Sequence, residues 1–341
     1  MSCKVLVAGI AGASLGTEII KSLYRAGGYE IYGCDISTIA YGLYSDKLKD
    51  SFVAERSNYV ESIISICKNN GIKYIIPGGE QPTVLLSQNA KSLEDNGLIL
   101  VSNSKDIITL FSNKRETFKF LNHLGFDTPK TYSVNSQNDL KDIEFPCIVK
   151  PSTGTGGSDS VFLATSLEEC NLYVELLTRN SKDVIIQEYI DDSEGEYTIG
   201  VLSNTDSKVI GSVCMKRAFD SKLSVSYRGT KGLISSGYSQ GLISDFPELR
   251  SQAEEIAIAS NSIGPLNIQA RVKSGRLIPF EINPRFSAST YLRALAGFNE
   301  IHFYMQHLLK GEQQLSWKLK EGYYMRSFEE KYIPLTDVKR T

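Results

Sequence analysis

The chain of 341 residues has little of what metal centres and disulfide scaffolds need, with three histidines and six cysteines. His302 and His307 are five positions apart in an amphipathic segment, which favours packing or surface roles over a metal pair. The cysteines show no C-x-x-C spacing. We therefore expect reduced, mostly buried thiols rather than disulfide bonds or a zinc site.

The sequence also lacks an excess of one charge and a long apolar run. Its formal net charge is −2, whereas nucleic-acid-binding domains usually carry a basic excess, so nucleic acid is not an expected partner. The apolar run at 5–13 is interrupted by Gly9 and Gly12 and is far shorter than the roughly 20 residues of a membrane helix. It continues into a helical pattern instead of a cleavage site. We expect a cytoplasmic protein with no membrane partner.

The first hundred residues alternate apolar, β-branched runs with segments of helical periodicity. The runs at 4–8, 30–34, 74–76 and 98–101 indicate strands, and the segments at 14–25, 59–68 and 88–96 indicate helices. This order predicts a parallel sheet with helices on both faces. Ligands of such sheets bind beyond the carboxyl ends of the strands, where the Gly9 loop, Asp35 and the turn at 77–81 would meet.

The glycines near the start invite a dinucleotide interpretation, with Asp35 as the ribose-binding acid. The spacing of Gly9, Gly12 and Gly16 is G-x-x-G-x-x-x-G, which differs from the G-x-G-x-x-G fingerprint. We favour glycines that allow a tight turn and close helix packing. An NAD-dependent oxidoreductase that uses this loop remains an alternative.

From Thr109 onward the pattern changes to short strands with hairpin-like gaps. A helix is predicted at about 114–124, and a strand, a glycine-rich loop, a strand and a helix follow over 147–177. A further strand is predicted at 184–190, and antiparallel strands at 198–201, 209–215 and 277–282 surround a helix at 248–260. The predicted fold class is therefore α/β followed by α+β.

A lysine beside a glycine-rich loop suggests a phosphate site. Lys150 ends an apolar strand, and the loop that follows contains Ser152, Gly154, Gly156 and Gly157. Glycines let backbone N–H groups approach phosphate oxygens, while the ammonium neutralises charge. An ordinary mobile hairpin would have the same composition.

The segment after the strand at 184–190 suggests a nucleoside site. An extended run containing Glu188, Tyr189 and Ile190 could supply backbone groups and apolar walls to an adenine ring, and Glu196 could accept from a ribose diol. A strand that ends in an acidic turn is the structural alternative.

The sharpest pattern lies on two strands near residue 280. Gln269 and Glu281 are expected on neighbouring antiparallel strands, and Asn283 lies on the same face as Glu281. Oxygen-bearing side chains of this kind suit Mg²⁺. Arg285 follows at once and is placed to meet a phosphate oxygen.

Together these segments resemble the ATP-grasp superfamily, and within it the stand-alone carbamoyl-phosphate-synthase-like proteins. The E-I-N-P-R run at 281–285 is the most specific match. The segment at 113–115, followed by Phe118 and Leu121, resembles the one in which a basic residue, here Lys114, reaches the phosphates. The stretch at 326–330 also resembles stand-alone members.

The resemblance implies a domain organisation and a ligand set. It implies a pre-ATP-grasp domain at 1–105, an ATP-grasp domain at 106–310 with lobes at 106–186 and 187–310, and a tail at 311–341 packed on the core. It implies that Lys114, Lys150 and the loop at 154–157 hold the phosphates of ATP. Glu188–Ile190 and Glu196 would hold the nucleoside, and Gln269, Glu281 and Asn283 would hold Mg²⁺ or Mn²⁺.

The chain departs from synthases that make carbamoyl phosphate from bicarbonate. It has one copy of an architecture that they duplicate, and basic segments at 216–217 and 227–231 replace a histidine-containing loop. We therefore expect Arg217 or Arg228, with Arg285, to stabilise a transferring phosphoryl group. The expected activity is ATP-dependent joining of a small-molecule carboxylate to an amine through an acyl-phosphate. An enzyme that releases an acyl or carbamoyl phosphate, and a non-catalytic ATP-binding module, are alternatives, and a homodimer is left open.

Overall fold

The computed structural model describes residues 2–11, 15–134, 142–154, 160–311 and 316–340. Gly12, Gly156 and Gly157 lie outside these ranges, as do the expectations that concern them. The described helices are α1 (Leu15–Ala26), α2 (Tyr59–Asn70), α3 (Glu80–Gln88), α4 (Ala90–Asp95), α5 (Lys105–Ser112), α6 (Lys114–His123), α7 (Leu167–Arg179), α8 (Pro247–Ala259), α9 (Thr290–Leu295) and α10 (Glu300–Lys310).

The described strands form four sheets. They are β1 (Cys3–Ala8), β2 (Tyr29–Asp35), β3 (Asp50–Val53), β4 (Tyr74–Pro77), β5 (Ile99–Leu100), β6 (Thr131–Ser133), β7 (Cys147–Pro151), β8 (Phe162–Ala164), β9 (Val184–Glu188), β10 (Glu196–Ser203), β11 (Val209–Arg217), β12 (Val225–Gly229), β13 (Gly232–Ser235), β14 (Gly241–Ser244), β15 (Pro265–Lys273), β16 (Arg276–Asn283) and β17 (Gly322–Tyr324).

The amino-terminal sheet is parallel, as predicted, with strand order β3-β2-β1-β4-β5. Two of its elements were not predicted. Strand β3 is short and begins with the charged Asp50, so it lacks an apolar run. Helix α3 begins at Glu80, inside the segment that was expected to be a turn. Pro82 does not prevent this helix, because proline is tolerated in the first turn.

Gly9 and Gly16 serve close packing in this sheet. A Cβ atom on Gly16 would lie 1.9 Å from the carbonyl oxygen of Gly9, and Gly9 has a φ of +97°. Asp35 closes the same loop, since its carboxylate accepts hydrogen bonds from the backbone N–H groups of Ile10 at 2.7 Å and Ser37 at 3.0 Å. These residues therefore have structural roles.

The rest of the chain forms two antiparallel sheets. The smaller has strand order β6-β9-β7-β8, and the larger has strand order β16-β15-β10-β11-β14-β17. A separate hairpin, β12-β13, lies in sequence between β11 and β14 of the larger sheet. The expected lobe boundary at 186/187 falls inside β9, which belongs to the smaller sheet.

One apolar core joins the parallel sheet to the larger antiparallel sheet. It contains Val7 of β1, Ile19 of α1, Met215 of β11 and Phe298, all at most 2% exposed. The carboxyl-terminal segment lies over the same region, where Trp317 packs against Phe298 with ring centroids 4.8 Å apart. Because of this shared core, the carboxyl ends of the parallel strands are held beside the larger sheet.

Two further observations bear on the sequence expectations. All six cysteines are free, and only Cys3 is partly accessible while the others are buried, as predicted. Among the residues that the structure describes, no helix has the length and apolar content needed to cross a membrane.

A buried ion pair joins helices α9 and α10 to the larger sheet. Arg293 of α9 and Glu300 of α10 are each 1% exposed, and their side chains approach to 3.2 Å. Arg293 also donates to Asn267 Oδ1 at 2.6 Å and to Thr198 Oγ1 at 3.1 Å. Its guanidinium therefore ties two helices to strands β10 and β15.

We expect Arg293→Met to lower the free energy of unfolding by about 3–5 kcal/mol, because the substitution leaves the carboxylate of Glu300 buried without its cation. Urea unfolding followed by the fluorescence of Trp317 measures this loss. Arg276→Met is the matched control, since Arg276 pairs with Asp127 in the open, with side chains 65% and 46% exposed. The control should change the free energy by less than about 1 kcal/mol, and equal losses in the two variants would contradict the prediction.

Candidate functional site

The two antiparallel sheets face each other across a pocket, which we call the inter-sheet pocket. Strand β7 supplies Ile148 and Lys150, and the larger sheet supplies Arg271, Phe280 and Glu281. The remaining lining residues are Lys114, Val161, Gln187, Glu188, Tyr189, Ile190, Glu196, Leu233, Ile234 and Ser235. The structure therefore brings together the lysines and the nucleoside-binding candidates that the sequence predicted.

Lys150 is buried at the floor of this pocket. Its Nζ donates to Gln187 Oε1 at 2.8 Å and to the carbonyl oxygen of Phe280 at 3.0 Å. Burial, together with the neighbouring charge of Lys114, lowers the pKa of Lys150 to about 7, although Glu281 acts in the opposite direction. A polyanion bound nearby would favour the protonated, charged form of a lysine buried in this way.

Lys114 is placed by the start of helix α6. Asn113 caps the helix, accepting from the N–H groups of Arg115 and Glu116, and the backbone N–H of Lys114 donates to the carbonyl oxygen of Ser152 at 2.8 Å. Ser152 itself is fully buried, and its Oγ donates to Asp183 at 2.8 Å. The hydroxyl of Ser152, a phosphate candidate, is therefore engaged by Asp183 and anchors the strand end beside Lys114.

The hinge segment lies along the pocket edge. Glu188 accepts from the backbone N–H of Lys130 at 3.1 Å, and the hydroxyl of Tyr189 accepts from the N–H of Leu233 at 2.8 Å. The guanidinium of Arg271 stacks over the Tyr189 ring, with its central carbon 4.7 Å from the ring centroid. Tyr189 therefore joins the hinge to the larger sheet.

Glu196 and Arg217 form a buried cluster with Arg271. Glu196 is 1% exposed, and its two oxygens accept from Arg217 at 3.1 Å and from Arg271 at 3.0 Å. The side chain of Arg217 is fully buried and also donates to the carbonyl oxygens of Ser224 and Ser236. The guanidinium of Arg217, a candidate for the transferring phosphoryl group, is thus engaged by Glu196 and by two carbonyl oxygens. Glu196 lines the pocket with both oxygens already engaged.

Arg228 also lies away from the reacting region. It is exposed on the hairpin β12-β13, and it donates to the carbonyl oxygen of Phe219 at 2.7 Å. Arg228 lines neither the inter-sheet pocket nor the two neighbouring cavities described below. Its predicted role at the transferring group is not supported by this position.

The candidate metal ligands lie on two paired strands. Gln269 is directly opposite Glu281 in the β15-β16 register, and its Nε2 donates to Glu281 Oε2 at 2.9 Å. Asn283 follows on the same strand as Glu281, and its Oδ1 accepts from Arg285 at 3.1 Å. Glu281 and Asn283 line a pocket, and carboxylate and amide oxygens are donors that Mg²⁺ accepts when substrate phosphates and waters complete its shell.

A second pocket, which we call the junction pocket, adjoins the first and shares Lys114 and Glu281 with it. It is also lined by Asn283, Arg285 and Glu80. Burial lowers the pKa of Arg285, and the charges of Glu80 and Glu281 oppose that shift. Arg285 therefore lies within electrostatic range of both carboxylates.

A third, larger space, the sheet-end cavity, has a volume of about 920 Å³. It lies at the carboxyl ends of the parallel strands, where Gly9, Asp35 and Gly78 line it. It shares Glu80, Val84 and Ser112 with the junction pocket, and Gly154 reaches it from the other side. The three spaces therefore adjoin one another in a row from the hinge to the parallel sheet, and their shared lining residues mark where they meet.

Sequence reasoning missed two of the residues on this path. Arg271 lies two residues from Gln269 on β15, so strand alternation could have placed it on the same face. Glu80 was noted only as part of a turn. Its place at the junction depends on helix α3, which the pattern did not predict.

A model of the ATP-grasp domain matches residues 111–289, just over half of the chain. The chain therefore belongs to the ATP-grasp family, which confirms the resemblance and the predicted fold class.

Comparison with individual proteins agrees. The carbamoyl phosphate synthase large chain of Saccharolobus solfataricus is 26% identical over 333 residues, which cover 90% of this chain and 30% of that protein. The large chain from Neisseria meningitidis serogroup B is 26% identical over 216 residues, covering 62% of this chain and 19% of that protein. The chain thus spans less than a third of the length of these relatives.

Solved structures share the fold. An L-amino acid ligase from Bacillus licheniformis matches 91% of this chain and 74% of its own, with a TM-score of 0.67 and 15% identity. An ADP complex of the N5-carboxyaminoimidazole ribonucleotide synthetase PurK matches 89% of this chain and 76% of its own, with a TM-score of 0.65 and 14% identity. The residues that suggested an NAD-dependent oxidoreductase, Gly9 and Asp35, instead close a loop in this fold.

We expect Lys150 to take up a proton when MgADP or MgATP binds at pH 8. With a pKa of about 7 the free side chain is mostly neutral at that pH, and a nearby polyphosphate favours the charged form, so binding raises the pKa through the working pH. Calorimetric titrations in buffers of different ionisation enthalpy give the number of protons taken up.

Lys150→Met should abolish this uptake and weaken nucleotide binding. Lys182→Met is the control, because Lys182 is exposed and lines none of these pockets. Equal proton uptake by the wild type and the Lys150 variant would show that another group titrates.

Proposed function

We propose that this chain is an ATP- and Mg²⁺-dependent ligase that activates a small-molecule carboxylate as an acyl-phosphate and transfers it to an amine. The observation that carries the proposal is the position of Lys114 and Glu281. Both residues line the border between the inter-sheet and junction pockets. A cation and a metal-binding carboxylate thus meet where a γ-phosphate would leave the nucleotide and enter the neighbouring space.

The nucleotide would lie along the inter-sheet pocket. Its base would pack between Ile148 and the hinge at 188–190, with backbone groups of the hinge facing its edge. Its phosphates would point toward Lys150 and Lys114, whose charges neutralise them. Phosphoryl transfer needs mainly such positioning and neutralisation, because the protein has little covalent chemistry to do.

The residues present fit a magnesium ion. Glu281, Asn283 and Gln269 would hold it through oxygen atoms, and Gln269 now donates to the same carboxylate that would bind it. When bound, the ion supplies charge neutralisation on the phosphate oxygens. The described residues contain no cluster of three acidic, histidine or cysteine ligands.

Transfer would take place in the junction pocket. A substrate carboxylate oxygen attacks the γ-phosphorus, an O–P bond forms, and the bond to the β-phosphate oxygen breaks to release ADP. An amine then attacks the acyl carbon, phosphate leaves with the bonding pair, and the nitrogen loses a proton to give the amide. Arg285 would stabilise the incoming carboxylate and the acyl-phosphate, because it lies in the pocket beside Asn283.

The relatives support the reaction class. Members of the ATP-grasp superfamily are ATP-dependent carboxylate–amine ligases, and the chain's structural neighbours include an L-amino acid ligase and a biotin carboxylase domain bound to MgADP. The large chains of carbamoyl phosphate synthase are similar in sequence. The substrates, a cytoplasmic location and a homodimer are part of the proposal.

A phosphate-release screen tests the activity and separates its variants. Pairs of carboxylates and amines are supplied with MgATP, and ADP, inorganic phosphate and amide are quantified. A ligase forms all three together. ADP without inorganic phosphate indicates an acyl-phosphate product, and the absence of ADP with every pair contradicts the proposal.

Glu281→Ala should abolish substrate-dependent ADP formation, with a loss of at least about 10²-fold, because the main charged ligand of the metal is removed. Circular dichroism should show an unchanged fold. Glu255→Ala, an exposed glutamate on helix α8, is the control and should retain wild-type turnover. Wild-type turnover in the Glu281 variant would disprove the metal assignment.

A further inference from the structure

The sheet-end cavity has a charge pattern that the nucleotide chemistry does not use. Its near end carries Glu80, shared with the junction pocket, and its lining also includes Arg56 and Tyr59 at the start of helix α2. Between these polar groups the lining includes the apolar side chains of Ile36, Val84, Leu85 and Ile108. The cavity of about 920 Å³ is far larger than a single ion or water needs.

Glu80 is an available carboxylate. It makes no hydrogen bond or short ion pair with any residue in the described part of the chain, and its charge opposes the lowering of the pKa of Arg285 by burial. A carboxylate that lines an open cavity without a short ion pair favours an ammonium ligand. A second carboxylate would instead be repelled from this end.

Arg56 and Tyr59, near the start of α2, favour an anionic ligand instead. The guanidinium of Arg56 is exposed toward the cavity and has no ion pair among the residues that the structure describes. The hydroxyl oxygen of Tyr59 is buried and also has no hydrogen-bond partner there. A buried hydroxyl without a partner is costly, and an anionic ligand held by the guanidinium would accept from it.

Asp35 does not compete for the same ligand. Both of its oxygens already accept from backbone N–H groups, and the residue is 4% exposed. The negative charge offered to a ligand in this cavity is therefore that of Glu80. The two ends then differ in sign, with the negative end beside the junction pocket.

We propose that the sheet-end cavity binds the amine substrate, and that this substrate is a primary amine that also bears a carboxylate or phosphate group. Its ammonium binds Glu80, beside the place of acyl transfer, and its anionic group binds Arg56 and Tyr59. The identification of the bound molecule as the amine partner depends on the proposed ligase function. The binding itself does not.

Calorimetry with defined probes tests the assignment. The probes are glycine, 4-aminobutyrate, 6-aminohexanoate and O-phosphoethanolamine, each titrated into the full chain with and without saturating MgADP. Butylamine and butyrate are the single-charge controls. At least one two-charge probe should bind, and both single-charge compounds should bind about tenfold more weakly, since each loses one charged contact.

Substitutions at the two ends then locate the site. Glu80→Gln and Arg56→Gln should each weaken the two-charge probe by about tenfold or more. Glu94→Gln and Arg25→Gln change exposed residues outside the cavity and should leave the affinity unchanged. Because Glu80 and Arg56 border open space, their substitution should not affect folding, which thermal unfolding checks.

Two results would overturn the assignment. If no two-charge probe binds under either condition, the proposed substrate class is wrong. If binding is unchanged in Glu80→Gln, that carboxylate serves only as a counter-charge to Arg285. Probe binding of the expected kind without ATP turnover would contradict the ligase function alone, whereas turnover without such binding would contradict this inference alone.

Discussion

The larger sheet depends on Glu196, which lies on its central strand between two arginines. Arg271 of β15 is directly opposite Glu196, and on the other side Tyr197 pairs with Lys216, which brings Arg217 beside Glu196. All three side chains are buried. A one-residue slip of either neighbouring strand would turn an arginine to the opposite face, where α8 packs on an apolar layer that includes Ile199 and Ile268. Because an unpaired charge there is very costly, the cluster holds the register of β11, β10 and β15.

That register also positions the candidate metal ligands. With Glu196 opposite Arg271, the alternation of β15 places Gln269 and Asn267 on the same face, and the β16 pairing sets Glu281 and Asn283 against them. The far end of this polar row is closed by Arg293, which binds Asn267. Its two ends are thus neutralised within the protein. Glu281 lies in the middle of this row, and Lys150, whose pKa is lowered, lies near it. Added phosphate and metal charge would be stabilised there.

The sequence patterns located features that are local and did not reveal contacts that depend on register. The E-I-N-P-R run, Lys150 and the hinge each lie within a few residues of a strand end, and the structure brings them to adjoining pockets. The side chain of Arg217 binds Glu196, twenty-one positions earlier, and strand alternation does not show that contact. The hydroxyl of Ser152 likewise binds Asp183, which lies just before β9. Helix α3 was not predicted because its first turn contains a proline. Strand β3 was not predicted because it is short and begins with a charged residue.

The same distinction separates the candidate nucleotide site from the sheet-end cavity. The nucleotide candidates lie mainly on or beside strands whose register is set by the buried charges of Glu196, Arg217 and Arg271. The residues around the sheet-end cavity come instead from the ends of several separate strands and the starts of α2 and α3. Asp35 and Gly9 hold a loop of this region, but the side chains of Glu80 and Arg56 have neither a hydrogen bond nor a short ion pair with another described residue. Under the proposed function, a change of acceptor would therefore need changes at such loop and helix ends, with the hinge, the lysines and the candidate metal strands left intact.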